Sequence, residues 1–116
     1  MIAATFTCAV VSVHDGDTWR CQGGRRVRLA GVDARELDGS CHTTCAPMSA
    51  RQARVWLDRL IYRKTLTCLP VGMSYRRIVA RCSIGGVDLS CASIASGAAV
   101  QWDSWWRRYG MGRCDG

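Results

Sequence analysis

Asp15 and Asp17 flank Gly16 in the stretch VHDGDTWRC, just after a run of β-branched residues. Arg28, Asp33 and Glu36 follow in RVRLAGVDARE, and Tyr75, Arg76 and Arg77 open YRRIVARC. These residue types share a chemical use. Hydrolysing a phosphodiester brings a nucleophile up to an anion, which calls for a hard cation on oxygen ligands, donors for the developing charge, and a base for water. Asp17 and Asp33 are placed to supply the first, Arg28 and Arg77 the second, and Glu36 the third. Glu36 is the only glutamate in the chain, the other eight of nine acidic residues being aspartates.

Those residues need elements that bring them together. Thr5 to Val13 and Thr18 to Gln22 alternate or are β-branched on either side of Asp15 and Gly16, a hairpin pattern, and RRVRLAGV continues the sheet after Gly23 and Gly24. ELDGSCHTTCAP is loop by composition. Ala50, Ala53, Trp56, Leu57, Leu60 and Ile61 then recur at helical spacing, with Ser49 and Gln52 as a capping box and Pro47 just ahead. LTCLP and RIVARCSI read as two strands turning near Tyr75, and Leu89 to Ser96 as a short helix closed by Gly97. The order β-β-β-α-β-β-α predicts a mainly β fold, a five-stranded barrel with two to three helices on it.

Composition narrows the partner. The 116 residues suffice for one domain, expected over residues 1–110 with a short tail at 111–116. The net charge of +7 is almost wholly arginine, Lys64 being the one lysine among 16 basic residues. Guanidinium forks match phosphate oxygens, so a phosphate-bearing partner is one reading and a solvated basic surface the other. No apolar run approaches the roughly 18 residues of a membrane span. The first residues lack a basic region and a cleavage site, and are read as strand. Eight cysteines lean towards an oxidising, periplasmic or secreted setting, or towards a metal site.

DGDT, RVRLAGVDARE and YRRIVARC resemble the three motifs of the staphylococcal nuclease-like, or thermonuclease, family, and the resemblance runs from about Val10 to Gly97. It implies an OB-fold barrel, calcium as cofactor, and cleavage of DNA or RNA phosphodiesters. Position by position it implies metal binding by Asp17, Asp33 and the Ala34 carbonyl, catalytic roles for Arg28, Glu36 and Arg77, and substrate contact by Tyr75. Two departures stand out. Arg35 replaces the proline that commonly precedes the glutamate, and Arg76 replaces a glycine, where it offers a further substrate contact or crowds the site. The family's third helix is also cut short here, to a stretch containing Trp102, Trp105, Trp106, Arg107, Arg108 and Tyr109. That stretch is expected to cap the barrel or to stack on single-stranded bases.

Cysteine spacing supports pairs more than metal. A hairpin centred on Tyr75 sets Cys68 opposite Cys82, and family members with cysteines in these two regions support that pairing. Cys41, His42 and Cys45 suggest zinc only weakly, since no second paired ligand set appears, and a Cys41–Cys45 disulfide or free thiols is the expectation. Cys8, Cys21, Cys91 and Cys114 stay unassigned, as buried thiols or partners. The sequence thus predicts a monomeric, calcium-dependent nuclease of little sequence specificity that does not engage membranes. Its rival is a non-catalytic OB-fold module that binds nucleic acid through its arginines.

Overall fold

A computed structural model describes residues 4–114. Strands β1 (Phe6–Asp15), β2 (Thr18–Cys21) and β3 (Arg26–Leu29) form an antiparallel meander. After α1 (Ala50–Ile61), β5 (Thr65–Ser74) pairs with β1 and β6 (Arg77–Ile84) pairs with β5. A parallel pairing of β3 with β6, Val27 opposite Ile78, closes the ring. The result is the expected mainly β architecture, an OB-fold-like closed barrel of five strands with three short helices. Short β4 (Val32–Asp33) leaves the barrel and pairs with β8 (Val100–Gln101), and β7 (Val87–Asp88) extends the β6 edge.

The helices form where the sequence punctuates. Ser49 accepts from the Gln52 N–H while the Gln52 side chain accepts from the Ser49 N–H, the reciprocal cap read from the sequence. The buried stripe of α1, Ala50, Ala53, Leu57 and Ile61, faces a core that includes Val13, Trp19, Val27, Leu29, Leu66 and Val79. Asp88 caps α2 (Leu89–Ser96), which ends at Gly97 with φ 86°. The tryptophan-rich tail forms α3 (Asp103–Arg108), whose Trp106 is buried against Gly31. Met111 is buried as well, so the segment after α3 packs onto the barrel.

Disulfides join Cys8 to Cys21, Cys41 to Cys45, Cys68 to Cys82 and Cys91 to Cys114, leaving no free thiol among the described residues. Cys68 and Cys82 face each other across the β5–β6 hairpin as its register requires. Four cross-links suit an oxidising compartment. No helix among the described residues is long and apolar enough to cross a membrane.

Candidate active site

The site begins at the tight turn between β1 and β2. A Cβ on Gly16 would lie 2.7 Å from the Ala53 Cβ of α1 and 2.8 Å from the Ala34 Cβ, so only glycine lets the turn pass beneath the helix. Asp15 accepts the Asp17 N–H at 3.0 Å and fixes the turn from its own side chain. The two carboxylates around the glycine therefore do different work. Asp15 shapes the turn, and Asp17 is left to face the neighbouring strands.

Strand register sets its neighbours. Thr18 pairs with Arg28 across β2 and β3, and the Leu29 N–H donates to the Asp17 carbonyl at 2.8 Å. The Arg28 guanidinium consequently reaches Asp17 Oδ2 at 2.9 Å and lies 3.8 Å from Asp33 Oδ1, one fork between two buried carboxylates. Asp17 also accepts from the Ala34 N–H at 3.0 Å and the Thr18 hydroxyl at 3.1 Å. Burial is the main reason its pKa is pushed up to about 6; the charge of Asp15 adds to the rise, and Arg28 and the Ala34 N–H oppose it. Arg77, at the start of β6, donates to the Thr18 hydroxyl at 3.4 Å and to the Ser74 hydroxyl at 3.3 Å, which brings the second arginine to the same floor.

Asp33 sits at the end of β4, beyond the left-handed Gly31 (φ 76°), and its side chain has 0% exposure. It accepts from the His42 main chain and faces the His42 ring, both at 3.0 Å. Glu36 lies on the loop beyond, 43% exposed, with Oε1 3.8 Å from His42 Nδ1. Composition and spacing pointed to Asp33 and Glu36, and marked His42 only as a weak zinc candidate beside Cys41 and Cys45, not as a partner of Asp33. Cys41 and Cys45 are bonded to each other and offer no thiolate, so the cysteine-based zinc reading falls away and His42 meets Asp33 instead.

Two grooves meet at this floor. One, about 860 Å³, runs past Arg20, Arg26 and Arg76. The other, about 330 Å³, runs past Asp17, Arg28, Trp102, Trp105 and Tyr109. Asp15, Glu36, Tyr75 and Arg77 line both. Tyr75 is 93% exposed, and the Arg77 guanidinium lies 5.8 Å from its ring centre. Trp105 stacks on Tyr109 in the second groove while Trp106 is buried, so the tail both caps the barrel and lines the cleft.

Asp17, Arg28, Asp33, Ala34, Glu36, Tyr75, Arg76 and Arg77 thus gather at one end of the barrel, with Arg76 on the outer groove wall. Cys68 and Cys82 lie in the β5–β6 ladder. The oxygen-only donors Asp17 and Asp33 suit a hard cation such as calcium in kind, and the Arg28 fork now spans them. Among known proteins, no family model matches the sequence and no curated protein does either.

Proposed function

We propose that the protein is a staphylococcal nuclease-like, calcium-dependent phosphodiesterase that cuts DNA or RNA with little sequence preference, in a periplasmic or secreted setting. The observation that carries the reading is the convergence of two arginines, two buried aspartates and an accessible glutamate where a cationic groove meets an aromatic one. Such a cleft accepts a polynucleotide, with phosphates on guanidinium groups and bases on aromatic faces.

Within the cleft the residues divide the work. Asp17 and Asp33 would hold calcium, which supplies charge neutralisation at the scissile phosphate when bound. Arg28, set between the two carboxylates, and Arg77, on the adjacent strand, would donate to phosphate oxygens. Glu36 is exposed enough to meet water and takes its proton during attack. Tyr75 offers an open ring to a base, and Arg76 extends the phosphate path.

Digestion of single-stranded DNA and RNA with calcium or with chelator tests this. Cleavage should require the metal, and Glu36→Gln should slow it roughly 100-fold or more while leaving salt-sensitive binding to a short strand intact. Binding without any cleavage, identical in Glu36→Gln and the parent, would replace the enzyme with the binding module.

A further inference from the structure

His42 is held over the cleft more firmly than a solvated loop residue needs. Its main-chain N–H donates to Asp33 Oδ2 at 3.0 Å, its ring stacks on Trp102 at 4.9 Å between centres, and the Cys41–Cys45 disulfide closes the loop around it. Nδ1 stands 3.0 Å from Asp33 Oδ1 and 3.8 Å from Glu36 Oε1, and one donor atom from each of these three residues lies within 4.8 Å of the other two. Ligands of one zinc ion, each about 2.0–2.2 Å from it, stand roughly 3–3.5 Å apart, so the three are close to a shared coordination sphere. Glu36 is exposed and free to close the remaining distance.

Asp33 gives the second argument. Its carboxylate, with 0% exposure, is offset by the Arg28 guanidinium at 3.8 Å, a loose pair that leaves room for a closer cation. What faces Asp33 at hydrogen-bond distance is the His42 main chain and an imidazole. An imidazole beside two carboxylates is a mixed nitrogen and oxygen donor set, which favours zinc over calcium or magnesium.

We propose that Asp33, Glu36 and His42 form a binding site for a zinc-class divalent cation, with a further coordination position open to water. The site differs from the oxygen-only pair of Asp17 and Asp33. It needs no nuclease activity; sharing Asp33 makes the two cations rivals, and zinc on Glu36 would take the proposed base out of use.

Zn²⁺ alone, titrated calorimetrically into metal-free protein without nucleic acid, should bind one per chain. His42→Asn keeps a donor towards Asp33 but removes the imidazole ligand, and should weaken Zn²⁺ binding about tenfold or more. In the unaltered protein, Zn²⁺ should shift the His42 ring nitrogen signals in ¹⁵N NMR, a readout that does not depend on how the variants fold. Unmoved His42 signals, or Zn²⁺ uptake indifferent to His42→Asn, would overturn the site. Cleavage that fails while Zn²⁺ still engages His42 would sink the nuclease reading alone.

Discussion

The floor and the rim of the cleft are built by different means. On the floor, Asp17 closes the β1–β2 turn while Arg28 and Arg77 hang from β3 and β6, and the ladder pairs Thr18 with Arg28 and Arg28 with Val79. Each is buried or half-buried and each has hydrogen-bond partners. On the rim, Glu36 and His42 ride a loop outside the barrel and are 43% and 48% exposed. Short local bonds shape that loop. Glu36 N–H donates to the Ser40 carbonyl, Arg35 reaches the Ala46 carbonyl, and both Ser40 donors hold the Asp38 carboxyl below its ordinary pKa. The floor's geometry is thus a by-product of folding the barrel, whereas the rim's depends on those local bonds, one disulfide and one stacked tryptophan. A cleft built this way keeps its charged foundation fixed while the proposed base stands on a separately tethered segment.

The sharpest way to break this comparison is to remove the group that the floor shares. Arg28→Ala leaves Asp17 and Asp33 buried without their fork and should cost about 3–5 kcal/mol of unfolding free energy in denaturant titrations. Arg28→Lys should recover only part of it, because an ammonium cannot span both carboxylates. Glu36→Ala, at the rim, should change stability far less. If Arg28→Ala and Glu36→Ala cost alike, the floor is not the electrostatic foundation described.

Cross-links sharpen the contrast. Cys68 and Cys82 are 14 residues apart, and replacing both with serine should cost roughly 3 kcal/mol by loop-closure entropy. Cys41 and Cys45 are 4 apart, and the same replacement should cost about 2 kcal/mol. The smaller loss should nonetheless act on the site, exposing the loop to proteolysis while the barrel stays resistant. Loss of barrel resistance in the Cys41/Cys45 variant would show that the rim is not a separate unit.

What could be read in the sequence follows the same division. Strand alternation, the Ser49–Gln52 capping box and the Tyr75 turn are local patterns, and they located the barrel strands and α1; the floor residues were picked out by their types and motifs instead. Cys68 and Cys82 were legible because a hairpin imposes its own register. Cys8 and Cys21 were not, since irregularities in β1 at Val10/Ser12 and Val13/Asp15 upset any count across the first hairpin. His42 finds Asp33 nine residues back and Trp102 far ahead, through a loop with no periodicity to follow. The tail's division of labour was hidden for a related reason. Which tryptophan is buried depends on the room left above Gly31, and a Trp/Arg run does not encode that.

The smallest predicted effect concerns the charge on Asp17, read in chelator so that no metal contributes. Burial, reinforced by Asp15, lifts its pKa to about 6 against an ordinary 3.8, despite the pull of Arg28 and the Ala34 N–H. Between these values the folded protein holds a proton that the unfolded chain has already released. Stability therefore falls as pH rises through roughly 4 to 6 and is level in this respect above that window. Asp17→Asn has no proton to lose, so its stability relative to the parent should climb across the same window. The full rise, already net of the Arg28 attraction, would correspond to at most roughly 3 kcal/mol, and water drawn in around the ionised carboxylate reduces it to a net gain on the order of 1 kcal/mol at neutral pH. Thermal denaturation of both proteins from pH 4 to 8 measures this directly. A variant less stable than the parent at pH 7, with the gap closing as pH falls below 4, would mean that Arg28 dominates and that Asp17 is held charged as a structural ion pair. The floor would then resist calcium more strongly than its oxygen donors alone suggest.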